Sequence, residues 1–373
     1  MRRQSKDIFL ILAITNITLI FVLLRDQIQS NMKHIIAFVA IISFLNSCVS
    51  VNYLPIDVRQ PALVSFPPNV TKVLLVDNSY APDETPANDE AEAEGILSTD
   101  SSRTVLLTSL KQFMDEEKYF NTVDLYPYKT YSGTGDDEHP LSARKIQTLC
   151  VEKSADAVVT LDWFVMSAQL ETENTGYFNT YNVLGAKLGA IARAYDKDGS
   201  EYIHQPIVLV DSLFREEAID WSRLKNNVDE INSIISEMAT VGADKLTGSL
   251  IPSWKSQMRW YYSDNSSDMK QAGKLASSGK WKEAAAIWGD LFDKETKVIK
   301  KIRLASNIAL ANESLDDVEN AKVWINIAYE LLPEISNAEL TKMVTLYRNE
   351  LTLRGNNLPK LYEQLGIEKD TVD

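Results

Sequence analysis

The sequence predicts a small α/β domain with a mixed sheet, followed by an all-helical domain built on a repeated unit. Three observations predict it. Between residues 70 and 215, apolar runs of strand length alternate with amphipathic segments, the order that lays helices over parallel strands. From Asp268 onward the apolar spacing is helical throughout, and a pattern of small residues recurs. Composition is ordinarily globular, 45% hydrophobic and 24% charged, and 373 residues suffice for two domains.

The chain opens with two apolar segments. Ile8 to Leu24 lies behind Met1-Arg2-Arg3 and ahead of Arg25-Asp26, at the lower limit of a spanning helix. Met32-Lys33-His34 then precedes Ile35 to Leu45, apolar apart from Ser43, and Leu45-Asn46-Ser47-Cys48 follows. A basic start, a short apolar run and a small residue before the cut define an export signal over 32–47. Two such segments in tandem would compete, so the simpler reading starts translation at Met32 and makes 1–31 an over-extended start; the alternative is an extra hydrophobic anchor. Leucine three residues before Cys48 and serine just before it resemble the bacterial lipobox. That resemblance implies acylation of Cys48, removal of 32–47, and a lipoprotein whose residues 49–373 lie outside the cytoplasm.

Residues 48–69 are proline-interrupted, with Pro55, Pro61, Pro67 and Pro68, and read as a tether. The α/β domain then spans 70–221. Val73 to Val76 is a continuous apolar run, as expected of a central strand buried on both faces. The acidic stretch Asp83 to Glu94 lacks the alternating carboxylate frame that wraps calcium, and reads as a solvated loop. Ser102 to Lys118 repeats Leu106, Leu110, Phe113 and Met114 at helical spacing. A short strand Val123–Tyr126, a second helix Leu141–Lys153 with Cys150 on its apolar side, and a strand from Ala157 follow. Lys187 to Tyr195 alternates with period two, Asp196-Lys197-Asp198-Gly199 turns, and Tyr202 to Val210 returns. Gly185 and Gly189, at the entry to this hairpin, suggest tight packing. Residues 222–262 read as a connecting helix broken at Pro252 and an aromatic joint, with Trp254, Met258 and Tyr261 on one helical face plugging the two domains together. This element order is similar to the small domain of envelope lipoproteins of the curli-secretion CsgG and TolB amino-terminal type.

Residues 263–366 form the helical domain. Gly279 turns into Trp281, Ala284 and Trp288, and the frame recurs in Ala321, Ile325, Ala328 and Pro333. Ala284 and Ala321 lie 37 residues apart. The frame resembles the tetratricopeptide repeat, whose period is about 34 residues and whose alanines let helices cross closely. The turn before Ala321 lacks the family's glycine, and the first helix of each pair lacks its Trp-Leu-Gly signature. Trp281 and Trp288, seven apart and so on one stripe, are expected in the core.

Chemistry-bearing motifs are sparse. Beyond His34 the histidines are His139 and His204, neither in a metal-binding frame, so no cofactor or metal is expected. No nucleophile elbow or phosphate-binding loop appears. Cys150 would stand alone once Cys48 is acylated, which rules out an intramolecular disulfide. The net charge of −14 argues against nucleic acid and against docking on anionic lipid through the protein surface. Through the lipobox, the Val73 strand, the Trp254–Tyr261 joint and the repeat from Gly279, the chain resembles the DUF6340 type, tetratricopeptide-containing lipoproteins of Bacteroides-like bacteria, over 48 to about 350. The resemblance implies a lipoprotein and supplies no activity; residues 49–53 hold no acidic cluster of the sort that resembles a surface-export tag, so an outer-membrane lipoprotein facing the periplasm is expected. The expected function is a non-catalytic adaptor holding a peptide or protein partner in the envelope. The alternatives are a homo-oligomerising secretion or assembly subunit, or an enzyme with an unrecognised site.

Overall fold

The computed structural model describes residues 50–80, 99–131, 139–174, 180–217 and 228–367; Cys48, both apolar segments before it and the acidic stretch Asp83 to Glu94 lie outside them. The elements are β1 (Ser50–Gln60), β2 (Lys72–Tyr80), α1 (Thr99–Glu117), β3 (Thr122–Leu125), α2 (Ala143–Lys153), β4 (Ala157–Asn174), β5 (Thr180–Asp196) and β6 (Ile207–Glu217). They continue with α3 (Val228–Leu250), β7 (Ser253–Ser263), α4 (Ser267–Ser277), α5 (Trp281–Lys294), α6 (Val298–Ser314), α7 (Val318–Glu330) and α8 (Ala338–Leu365). The fold is thus a mixed α/β part followed by helices, as the sequence predicts. Two compact units emerge among the described residues: an α/β unit of residues 57–257 with 353–367, and a helical unit of residues 258–352 with 50–56.

The α/β unit holds a five-stranded sheet in the order β3-β2-β4-β5-β6. β2 runs parallel to β3 and β4, while β5 runs antiparallel to both β4 and β6. Period-two alternation divides the apolar run of β2 between two cores. Val73 and Leu75 pack with Leu106, Leu110 and Met114 of α1 and with Ile234 and Met238 of α3. Leu74 and Val76 face the other way, onto Ile146, Leu149 and Cys150 of α2. A Cβ on Gly242 of α3 would come 2.2 Å from a Leu188 methyl, so the glycine lets the helix lie close on β5.

At the β5 turn, the Asp196 carboxylate accepts from the backbone N–H groups of Asp198 and Ser200, and Gly199 takes φ +87. The returning strand departs from expectation. Tyr195 bridges Glu201, residues 202–205 bend, and pairing resumes only at Ile207 after Pro206, which has no N–H to give a ladder.

Residues 48–69 are not a tether over the described part. Residues 50–60 form β1, and Val58, Ala62, Val64 and Phe66 are buried. Gln364 of α8 clamps the segment: its amide oxygen accepts from the Ala62 N–H at 2.9 Å, and its nitrogen donates to the Ala62 and Val64 carbonyls at 3.1 and 2.9 Å. The aromatic joint is likewise a strand, β7, not a helical face. Its first half alternates exposed and covered residues, whereas Arg259 to Tyr262 are buried consecutively.

In the helical unit, Ala284, Ala321, Ala328 and Trp288 are fully buried, Ile325 is 1% exposed, Trp281 is half-buried, and Pro333 sits exposed in the short 3₁₀ turn Leu332–Glu334. Gly279 takes φ +73 between α4 and α5. At the corresponding turn before α7, Asp316 takes φ 63, and aspartate is one of the few non-glycine residues that tolerate this region.

Candidate functional site

Open α/β sheets bind ligands beyond the carboxyl ends of neighbouring strands whose connections leave over opposite faces. Here those strands are β2 and β3, since α1 and α2 pack on opposite faces of the sheet. Asp77 and Asn78 lie at that edge. Asp77 accepts from Arg103 Nε at 2.8 Å and from the Ser79 hydroxyl at 2.7 Å. Asn78 donates to the His139 carbonyl and to Asp162, both at 2.8 Å, and accepts from Thr130. Asp162 of β4, fully buried, also accepts from Arg193 Nη1 at 2.7 Å. Burial pushes the Asp162 carboxyl up, and the bonds from Asn78 and Arg193 partly offset this.

A buried acid with a raised pKa in such a crevice is the usual mark of a reactive site. Geometry argues otherwise here. Asp162 has no exposed surface, and Arg103 is flanked by Asp77 and by Asp100 at 2.7 Å, so an incoming anion meets two carboxylates. The network ties β2, β4, β5 and the segment holding Thr130 to one another. Among the described residues, no three His, Cys, Asp or Glu side chains converge as a metal site.

In the helical unit, the second half of β7 lies in the face offered by α4, α6 and the start of α8. Asn307 grips the main chain of Tyr262 at both ends, accepting from its N–H and donating to its carbonyl, each at 2.8 Å. Arg259 forms a two-pronged pair with Glu313, at 2.8 and 2.9 Å, and reaches Glu350 at 2.7 Å. Tyr347 donates to the same Glu313 carboxylate at 2.8 Å. Burial alone would lower the Arg259 pKa, but Glu313 outweighs it and holds the value above its usual level. Tyr261 packs against Trp288, with ring centroids 6.0 Å apart, and over Gly273, where a Cβ would come 2.9 Å from its ring. That face of the helices is therefore filled by the chain's own strand.

The outer face of the α/β sheet is different. Beyond α2, the register aligns Val208, Ile191 and Trp163 in one row and Val210, Gly189 and Val165 in the next, with Ser212 opposite Lys187 and Phe214 opposite Gly185. A Cβ on Gly189 would come 2.6 Å from the Trp163 ring, so the glycine lets the indole lie across β5. Tight packing, as the sequence suggests, is the role of Gly189. Val210 is 80% exposed, Val208 62% and Phe214 51%. No described strand pairs with the outer edge of β6.

Of the residues singled out in the sequence, Ala284, Trp288, Ala321, Ile325 and Ala328 come together in the helical core, while Trp281 is only half-buried. Cys150 is a core thiol whose pKa is raised first by burial, and His139 and His204 are exposed. Cys48 lies outside the described residues. Asp162, Arg259, Asn307 and Glu313 were not legible as a set. A signal did exist for two of them: Asp162 interrupts an apolar strand, and Arg259 stands among aromatics.

Among the described residues, no helix is long and apolar enough to cross a membrane. No curated protein matches the chain. Two solved structures are similar in part. One is a minor lipoprotein from Acinetobacter baumannii, 12% identical, covering 49% of this chain and 98% of that one with a TM-score of 0.24. The other is the hypothetical protein CT253 from Chlamydia trachomatis, 11% identical, covering 48% and 97% with a TM-score of 0.22. TM-scores of this size do not establish a shared fold. The DUF6340 domain of unknown function matches residues 270–353, the helical stretch, so that resemblance is narrower than the span from 48 to about 350 expected above. The DUF8603 domain of unknown function matches residues 70–262. Since that match takes in more than half of the 373 residues, the chain belongs to the DUF8603 family.

Proposed function

We propose that the protein is an envelope lipoprotein, anchored through lipid on Cys48 and facing the periplasm from the outer membrane, that holds a protein partner without catalysis. The observation that carries the adaptor reading is the bare apolar row Val208, Val210 and Phe214 on an edge strand. Exposed apolar residues gathered on one strand edge suit pairing with an extended partner segment, whose main chain would continue the ladder. The helical unit supports this as a scaffold. Its fully buried alanines fit a tetratricopeptide-like array, but its peptide-holding face is taken by β7. Anchorage rests on the Leu45 to Cys48 signal.

The test is capture of envelope proteins by residues 49–373, compared with the same protein carrying Val210→Asp and Phe214→Asp. Discrete partners lost in the double variant would support the proposal; partners retained would overturn the surface. The open edge of β6 also favours a second reading, self-association of two copies through β6. Light scattering on the purified protein separates the two, since a dimer that becomes monomeric in the double variant would favour the second.

A further inference from the structure

We propose that the open edge of β6 is closed by a second copy of this chain, the two β6 strands pairing antiparallel about a two-fold axis at Leu213. The proposal rests on the β6 edge as read above and adds to its second reading a register and a charge code. β6 alternates between two faces. Val208, Val210, Ser212 and Phe214 lie on the outer one, and Leu209, Asp211, Leu213 and Arg215 on the side of α3. Asp211 pairs with Lys245 of α3, and Arg215 pairs with Glu237. The strand thus carries a minus and a plus sign four residues apart, and the helix carries the same two signs in the opposite order.

A two-fold interface presents one surface to itself, so opposite signs must stand at equal distances from the axis. With Leu213 on the axis, Asp211 of each copy stands opposite the partner's Arg215. Opposed residues of an antiparallel pair have Cβ atoms about 4.5–5.5 Å apart, within reach of an ion pair. Each end of the interface then alternates in sign, from Lys245 and Asp211 to the partner's Arg215 and the partner's Glu237. Moving the axis breaks this. Centred on Ser212, the pairing sets Asp211 against the partner's Leu213; centred on Asp211, it sets two carboxylates against each other. Like charges at 211 and 215 would refuse any second copy, which is how edges are commonly protected. Opposite charges accept one in a single register. The outer face fits that register as well. Phe214, 51% exposed, stands opposite the partner's Ser212, a small residue, and diagonal to the partner's Val210 and the partner's Phe214. Val210 meets the partner's Glu216 near the end of β6, so apolar burial gathers around the axis. Lys187 lies one strand back, beside Ser212. The net charge of −14 repels two copies at a distance. Screening over about 8 Å at physiological salt confines that repulsion, and the opposed pairs are closer than this.

The experiment expresses full-length chains with two different affinity tags together and measures how much of one tag co-purifies with the other. Wild-type copies should co-purify. Asp211→Arg in both copies opposes two cations, and Arg215→Asp in both opposes two carboxylates, so each should cut co-purification several-fold. One variant mixed with the other restores opposite signs at both ends and should restore the pairing. Each change breaks one partly exposed ion pair with α3, so thermal melts should hardly move. Variants that melt like the wild type yet stay apart when mixed would overturn the register, and co-purification indifferent to both changes would place the contact elsewhere. A second measurement needs neither charge variant. With Cys150→Ser, Leu213→Cys should cross-link two copies under mild oxidation while the exposed Val323→Cys does not, and its failure to do so would overturn the axis. Wild-type copies that never co-purify would overturn the second copy. If Val210→Asp still abolishes capture of envelope proteins in that case, the β6 surface stands without it; if capture is unaffected, both fall.

Discussion

In the helical unit, the face of α4, α6 and α8 is closed by strand β7, whose Arg259, Trp260, Tyr261 and Tyr262 are all buried. In the α/β unit, the outer face of β6 carries Val208, Val210 and Phe214 with most of their surface in solvent. Among the described residues, only the first of these faces is covered by another segment of the chain. The difference separates stability from recognition. The filled face uses directional bonds to main chain and a buried ion pair, which fix one strand in one register. The bare face offers apolar side chains and an edge, which select little until a partner arrives.

The largest effect should come from breaking the filled face. Glu313 accepts from Arg259 twice and from Tyr347, with its side chain fully buried. Glu313→Gln should cost about 3 kcal/mol in urea unfolding, the low end for breaking a buried pair, because Glu350 stays 2.7 Å from the guanidinium. The paired change Arg259→Met with Glu313→Leu should recover much of that loss, and no recovery would mean that the pair does more than neutralise charge. Asp162→Asn in the α/β unit should cost less. Burial already penalises that carboxylate, and Glu201 remains 3.7 Å from Arg193.

Next come the two tryptophans that the sequence places on one stripe. Trp288 is fully buried against Tyr261, so Trp288→Ala should destabilise by about 3–5 kcal/mol. Trp281 is half-buried, and Trp281→Ala should cost about 1 kcal/mol, the centre of the range for single substitutions. Equal losses in thermal melts would show that the stripe is uniformly core.

These residues also show what could be read from sequence. The run Val73 to Val76 identified a central strand because burial on both faces leaves no polar position, and all four residues are fully buried. Strand β1 was hidden for two reasons: its partner β7 lies about two hundred residues away, and Pro55 reads locally as linker. Trp254, Met258 and Tyr261 happen to stand at helical spacing, which masked a strand whose alternation stops where β7 enters the helices. Asn307 and Glu313 gave no signal at all, because polar residues on a helix are ordinarily solvated. Their partners are set by tertiary packing alone.

A smaller effect follows from alkali. Burial first of all raises the Tyr262 pKa from 10.0 to about 12, within the filled face. Between these values the unfolded chain loses the phenolic proton before the folded one, so the folded state binds more protons and stability falls as pH rises. The full loss is about 2–3 kcal/mol at one pKa unit per 1.36 kcal/mol, absent below pH 10 and complete only above pH 12. Tyr262→Phe should flatten that part of the decline in denaturation midpoints. An unchanged slope would assign the loss to the other raised tyrosines, among them Tyr202, also pushed to about 12.

The smallest expected change in stability carries the most information about the bare face. Val210 is 80% exposed beside Gly189, so Val210→Asp removes few contacts and should shift unfolding by no more than about 0.5 kcal/mol. Its effect on an incoming strand should be much larger. An aspartate at the edge places an unpaired charge where an apolar partner would desolvate it, the device by which natural edge strands refuse pairing. Stability and recognition thus part company at this position, whereas at Glu313 they cannot, since loss of the pair unsettles the unit itself. Val210→Asp should leave the melting curve in place and abolish partner capture in a pull-down. Capture that survives this substitution would move recognition off β6 and return the helical unit to consideration, with β7 as the segment that a partner would have to displace.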